Sequence, residues 1–422
     1  VVTALTDGLS YLSAQSLASL AALFWFTIVF EVPRYTLSFV AAALTGGPKN
    51  QSAGELRTRP RVSVVVAGHN EADSIEKCVR SLLEQSRPPD EIVAVSDGSS
   101  DNMPAKLADM KRRGLVDQVH CTDLRAGKSA ATNLGVRWSS GDIIINVDCD
   151  CSFERHAFKH VIEPFGNPEI GAVSGNILAR NPGASLVATF QAIEYMISIS
   201  LGKQADALKE EVVCVSGAFG AFRREALAGV GGIDVGGGED LDLTLRLREA
   251  GWRIGFRPDA ICYTDVPDTL SAFIKQRFRW ERDALRLRYR KHMDIMNPLT
   301  PRFSVRELFH ELDFIFFHVI AAAMLPFYLL WLFATYGNLA FSILLAAQIG
   351  LLVFDGLAFV LAALKTPKAD SLRLLPFMPG FSIFNGGFMR FVRLAAYLQE
   401  WIFNASDQDN YVPEKVRLVR RW

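Results

Sequence analysis

Asp148-Cys149-Asp150 follows the apolar run 143–147. Period-two spacing along an extended chain puts both carboxylates on one side. Two hard oxygen donors at a strand end suit Mg²⁺ or Mn²⁺, which would bridge a diphosphate. Such an ion neutralises charge on a departing nucleotide. Taken alone, the pattern equally fits a solvated turn. Glu239-Asp240 follows Gly236-Gly237-Gly238. The glycines allow a backbone to approach a ligand closely. The acids either cap a helix N-terminus or supply a general base that takes a proton from an acceptor hydroxyl. Gln276-Arg277-Phe278-Arg279-Trp280 lies in an arginine-rich, helix-like stretch. An arginine fork matches a diphosphate, and a tryptophan face suits stacking on a sugar ring. The surrounding arginines equally suit lipid headgroups.

Three further places could hold a nucleotide. Asn70 and Glu71 follow a first strand, Asp97 follows a second, and Lys128 could reach a phosphate or a ribose. His69 reads as structural. Six cysteines without C-x-x-C spacing argue against a disulfide framework or a zinc site. There is no Walker A, G-x-S-x-G or H-E-x-x-H pattern. Lys plus Arg and Asp plus Glu both number 45, and no nucleic-acid motif appears, so no nucleic-acid partner is expected.

These residues need a frame. Residues 62–67 form a β-branched run that reads as a buried parallel strand. A helix is expected from Asn70 to about Gln85, opened by Asn and acidic residues. Strands follow at 91–96, near 116–121 and at Ile143–Val147, with a helix at Lys128–Trp138 before the last. The βαβαβαβ alternation predicts a mostly parallel sheet covered by helices, with ligands at the C-terminal strand ends.

The 422 residues exceed one ordinary domain, and 50% are hydrophobic. The apolar residues concentrate before about Leu44 and after about Leu308. Residues 9–30 are long enough to span ~30 Å of hydrocarbon. They lack a basic leading region and a small-residue cleavage site, so they read as an anchor rather than a leader. Residues 314–336 and 339–364 form a helical hairpin turned at Gly337-Asn338. Basic flanks at 56–61 and 365–373 belong on the cytoplasmic side, which puts 60–305 in the cytosol. The last apolar stretch, 374–403, contains Pro376, Pro379, Gly380, Gly386, Gly387, Arg390 and Arg393. It reads either as a broken helix lining a channel or as an interfacial helix with snorkelling arginines.

Taken in order, Asp97, Asp148-Cys149-Asp150, Glu239-Asp240 and Gln276-Arg277-Phe278-Arg279-Trp280 resemble glycosyltransferase family 2, in its processive membrane branch of β-glycan synthases. The resemblance runs from about Val62 to Trp280. It implies a GT-A-type α/β cytosolic domain flanked by transmembrane and interfacial helices. It also implies inverting transfer from a UDP-sugar (UDP-glucose or UDP-GlcNAc), with Mg²⁺ or Mn²⁺, to a growing glycan. Asp97 would then bind the base, Asp148 contact the donor, Asp150 ligate the metal and Asp240 act as base. Gln276, Arg279 and Trp280 would hold the diphosphate and the acceptor sugar, and Ser216 and Gly217 would line the acceptor site. Two departures stand out. The usual Asp-Asp-Gly-Ser reads Ser96-Asp97-Gly98-Ser99, and the common Thr-Glu-Asp reads Gly238-Glu239-Asp240. The expected product is a β-linked polysaccharide moved across the plasma or inner membrane. The alternative is a glycolipid synthase adding one sugar to a lipid. The expected units are an anchor (1–45), the GT-A domain (60–265), interfacial helices (266–306), membrane helices (307–403) and a basic tail with a gating role (404–422).

Overall fold

The computed structural model describes residues 2–33, 59–208, 212–234, 236–300, 303–366, 371–409 and 413–419. The basic flank at 56–58, the flank residues 367–370 and the terminal residues Arg420, Arg421 and Trp422 lie outside them.

β1 (Val62–Gly68), β2 (Glu91–Asp97), β3 (Gln118–Thr122) and β4 (Ile143–Val147) form a parallel set in the order β3-β2-β1-β4. The helix Lys128–Trp138 and strand β4 fall where the sequence put them. The first helix starts late, at Ile75, because Asn70 adopts a left-handed φ of 59° and residues 71–74 turn before the helix begins. Side chains of β1 alternate between two cores. Val62, Val64 and Val66 pack with Ile75, Val79 and Leu82. Val65 faces the helix Lys128–Trp138, where a Cβ on Gly135 would stand 2.4 Å from Val65 Cγ1. Glycine is what lets that helix lie directly on the sheet.

The other half of the sheet is mixed. β7 (Phe219–Arg223) runs antiparallel to both β4 and β6 (Ile170–Ala179). β8 (Arg253–Thr264) is parallel to β6, and β5 (Ser152–Phe153) closes the edge. The full order is β3-β2-β1-β4-β7-β6-β8-β5. The reversal at β7 matters for chemistry. Val147 pairs with Phe219, so the residues just before β7 lie beside the C-terminal end of β4.

Glu307–Tyr336 and Leu339–Lys365 are each long and apolar enough to cross a membrane. The stretch 9–30 is not one uninterrupted helix. Ser16 accepts a hydrogen bond from the Ser19 N–H and starts a new helix, Leu17–Leu23, after Val2–Ser13 has ended. Leu23, Phe26 and Phe30 pack against Leu325, Tyr328 and Ile343.

The last apolar stretch breaks into Ser371–Phe377, Met378–Ile383, Phe384–Phe388 and Met389–Phe403. Its arginines neither line a channel nor snorkel. Arg390, 1% exposed, pairs with Glu31. Arg393 pairs with Glu281 at 3.1 Å, and Tyr397 donates to Glu281 at 2.6 Å. Each buried cation meets a carboxylate from another helix, which is the condition for burial.

Candidate active site

The C-terminal ends of β1, β2 and β4 open on a cavity of about 220 Å³ lined by His69, Glu71, Asp97, Arg125, Lys128, Asp148 and Asp150, among others. It lies where the strand order reverses between β1 and β4, the usual ligand crevice of such sheets. Gly68 is required here, since a Cβ would stand 2.4 Å from Cys149 Sγ.

Lys128 is the hub. Its Nζ lies 2.6 Å from Asp148 Oδ1 and 3.4 Å from Glu239 Oε1. One ammonium thus joins the end of β4 to the glycine-led helix Glu239–Glu249. Burial pushes the Glu239 carboxyl up; Lys128 opposes that and Asp240 adds to it.

Asp240 is held by two backbone donors. The Gly217 N–H points at Oδ2 (3.3 Å) and the Leu241 N–H at Oδ1 (2.8 Å). Gly217 is itself fixed, because Asn146 donates to its carbonyl at 2.9 Å. A Cβ on Gly217 would lie 3.1 Å from Lys128 Nζ and 3.6 Å from Asp240 Oδ2. Gly217, Lys128 and Asp240 therefore share one small volume. Ser216 Oγ accepts from Lys203 Nζ at 2.6 Å.

Asp150 Oδ2 accepts from the Thr264 hydroxyl at 3.2 Å, and Arg180 holds the Asp150 carbonyl at 2.6 Å. Burial and then the neighbouring Asp148 push the Asp150 carboxyl up. Glu71 is raised by burial as well, with Asp150 and Asp148 adding to it. Two raised carboxyls beside the carboxylate of Asp148, all hard oxygen donors, fit a divalent cation. No group of three His, Cys, Asp or Glu side chains among the described residues is arranged to hold an ion alone. Asp148 and Asp150 would share it with ligand oxygens and water.

Asp97 is 3% exposed, and its two oxygens accept from the Ala126 and Gly127 N–H groups at 2.7 Å each. That grip fixes the turn from which the Lys128 helix starts. Asn70 stands outside the cavity; its Oδ1 accepts from the Ser100 N–H at 2.8 Å.

Gln276, Arg279 and Trp280 lie on the helix Leu270–Arg286. Gln276 and Arg279 line a second cleft of about 830 Å³, with Lys275, Arg282, Gln399, Phe403 and Asp409. The two clefts share no lining residue. Trp280 is 39% exposed, and the Arg277 guanidinium lies 4.7 Å from its ring centroid. The tail lines the second cleft and packs beside Gly127. Asp409 pairs with Arg282 at 3.1 Å, and a Cβ on Gly127 would meet Pro413 Cδ at 3.3 Å.

Several participants carried no motif. Lys203 ends the apolar run 195–202, and a lone lysine there is the one signal that could have exposed it. Burial pulls its ammonium down, while Cys214, Asp240 and Asp206 oppose that. Thr264 and Asn146 gave no such signal.

The family described as Glycosyltransferase like family 2 matches residues 60–282, more than half of the chain. The poly-beta-1,6-N-acetyl-D-glucosamine synthase of Staphylococcus aureus (strain MSSA476) is 32% identical over 252 residues, covering 59% of this chain and 60% of that protein. The protein of the same name in Staphylococcus epidermidis is 32% identical over 221 residues, covering 52% and 53%. The chain thus spans 60% or less of the length of these curated relatives. A mannosyltransferase, PcManGT from Pyrobaculum calidifontis, solved with GDP-Man and Mn²⁺, is 21% identical. It aligns with a TM-score of 0.58 over 91% of this chain and 97% of that one, which shows a shared fold.

Proposed function

Because the chain belongs to glycosyltransferase-like family 2, we propose that it polymerises a β-linked, N-acetylglucosamine-containing glycan from UDP-GlcNAc on the cytosolic face of a membrane and passes the product across. The choice of sugar rests on the relatives named poly-beta-1,6-N-acetyl-D-glucosamine synthase. The observation that carries the reaction type is one chain of contacts: Asp148 to Lys128 to Glu239, with Asp240 reached through Gly217. It supports a reading with the diphosphate and the proton-accepting carboxylate side by side at one strand edge.

The donor diphosphate would lie in the cavity at the first turn of the Lys128–Trp138 helix, whose unsatisfied N–H groups favour an anion. The Lys128 ammonium would turn from Asp148 and Glu239 toward the phosphate oxygens. A divalent cation shared by Asp148 and Asp150 would supply neutralisation of the leaving diphosphate. Asp97 would keep the turn at Ala126-Gly127 in place under the nucleotide.

The acceptor hydroxyl would meet the Asp240 carboxylate, which takes its proton as the oxygen attacks the anomeric carbon. Positioned general bases of this kind contribute about 10²–10⁴-fold. The two backbone donors on Asp240 fix its orientation before the acceptor arrives. Trp280 and Gln276, on the second cleft's helix, would take the glycan next to the reacting sugar. Glu307–Tyr336 and Leu339–Lys365 would anchor the enzyme and flank the outgoing chain.

The test uses membranes carrying the full chain, UDP-GlcNAc and Mg²⁺ or Mn²⁺, followed by UDP release and product size. Asp240→Asn should lower turnover by at least about 100-fold; a near-normal polymer yield overturns the assignment of the base. A ladder digested by a β-1,6-specific glycosidase supports polymerisation. A product one sugar longer than a membrane lipid would replace it with the glycolipid reading.

A further inference from the structure

The Gly236-Gly237-Gly238 turn lies against the helix that carries Gln276 and Trp280. A Cβ on Gly237 would stand 2.4 Å from Asp283 Oδ2. One on Gly238 would stand 2.8 Å from Leu287 Cδ1 and 3.1 Å from Asp283 Cβ. Arg286, 1% exposed, donates to the Gly237 carbonyl at 2.7 Å and pairs with Asp283 at 3.0 Å. Gly238 has a φ of 67°, a left-handed conformation that glycine adopts without strain. The next two residues are Glu239 and Asp240. The turn cannot lift off the Asp283–Arg286 pair without moving the first turn of the helix that presents Asp240.

We propose that Asp283 and Arg286 are positioning residues: they lock the glycine turn and so set the place of Asp240, tying the helix of Gln276 and Trp280 to the proton-accepting carboxylate. This rests on the reading of Asp240 as the base. Neither residue touches the donor cavity, so both act through the backbone of the turn. A glycan or diphosphate that shifts the motif helix would thereby shift the base, and an empty motif helix would leave it less well held.

Charge at Asp283 controls the lock. The groups facing it are Arg286 and Arg279 from its own helix, Asp409 from the C-terminal segment and Glu239 from the helix after the turn. Burial pushes its carboxyl up to about 7, with Arg286 and Arg279 opposing. Ionised, Asp283 holds Arg286 in an ion pair. Protonated, it loosens that hold, while the Arg286 contact to the Gly237 carbonyl does not depend on its charge.

The experiment measures UDP release from UDP-GlcNAc by the membrane-bound full chain between pH 6 and 8.5. Wild type should show kcat rising with pH through an acid limb near 7. Asp283→Asn, which keeps the shape and cannot ionise, should lose that limb and run about tenfold slower at pH 8, with the donor KM within twofold. A merely structural role would reduce the amount of folded protein without removing the limb. The second measurement is a double-mutant cycle. Gly237→Ala drives a methyl into the Asp283 carboxylate and should lower kcat, whereas Gly237→Ala with Asp283→Ala has room for it. The combined loss should therefore be smaller than the product of the single losses. If Asp283→Asn does not accumulate, Arg286→Lys is read in its place and should lower kcat without changing KM. Wild-type kcat with an unchanged limb, or strictly multiplicative losses in the cycle, overturns the proposal. An inactive Asp240→Asn beside a wild-type-like Asp283→Asn sinks this inference alone. An active Asp240→Asn sinks the assignment of the base instead.

Discussion

Arg277 offers the sharpest test of how the motif helix is held. Its Nη1 and Nη2 donate to Glu194 Oε1 and Oε2 at 2.9 and 2.7 Å, a bidentate pair with both side chains buried. Its guanidinium also lies 5.0 Å from the Phe273 ring centroid and 4.7 Å from that of Trp280. Arg277→Ala strands the Glu194 carboxylate in a dry site, and breaking one side of a buried pair costs about 3–5 kcal/mol. The lost contacts to two aromatic faces add about 0.5–2 kcal/mol more. Removing both charges is a different perturbation. Arg277→Met with Glu194→Leu keeps most of the volume and leaves no orphaned ion, so it should cost far less than the single change, and such replacements are often neutral. Chemical unfolding of the detergent-solubilised chain measures all three variants, with UDP release as the second readout. The double variant should recover stability but not activity, because Trp280 loses the cation that orients it. An Arg277→Ala loss under about 1 kcal/mol, or a double variant as unstable as the sum of the singles, refutes the reasoning.

Two further outcomes follow from the polar groups around the site. His292 sits between Asp242 and Glu249, 2.8 Å from each; burial pulls its imidazole down, but the two carboxylates outweigh that and raise it. A raised histidine contributes stability that is complete below about pH 6.5 and fades as pH climbs through the folded value. The wild-type thermal midpoint should fall from pH 6 toward pH 8, and His292→Gln should flatten that slope; an identical slope in both would refute the assignment. Chelation with EDTA should stop UDP release and added Mn²⁺ restore it. Asp150→Asn should raise the metal concentration needed for half-activity by at least about tenfold, since even outer partners of metal ligands cost that much. An unchanged metal titration would remove Asp150 from the ligand set.

The parallel half of the fold is legible in the sequence because its signals are local. Val62 to Val66 and Ile143 to Val147 are β-branched runs ending in polar clusters, and those clusters are the site. The antiparallel β7 is not legible in this way. Phe219-Gly220-Ala221-Phe222 alternates weakly, and its partners are fixed by register with β4 and β6 rather than by pattern. Asp97, Asp148 and Asp150 could be picked out by their position after strands. What they touch could not. Asp97 grips a backbone turn that begins 29 residues later. Lys128 joins a strand end to a helix more than a hundred residues away. The motif at Gln276–Trp280 was visible as a string. That Arg277 would turn inward to Glu194 while Gln276 and Arg279 face a cleft depends on the angular position of each residue around the helix. The arginines of the last segment read as a membrane puzzle only because their carboxylate partners, Glu31 and Glu281, lie on other helices.

The Glu31–Arg390 contact joins residues 359 positions apart. Synthesis therefore delivers the acid of this pair long before its base. Until the ribosome has passed Arg390, Glu31 waits among apolar helices without its counter-charge, and the bundle holds an exposed defect. A nascent chain halted after the complete GT-A domain would still carry that defect. The contact thus makes the first helices depend on the last: a chain cut before Arg390 keeps Glu31 without the partner it has in the fold.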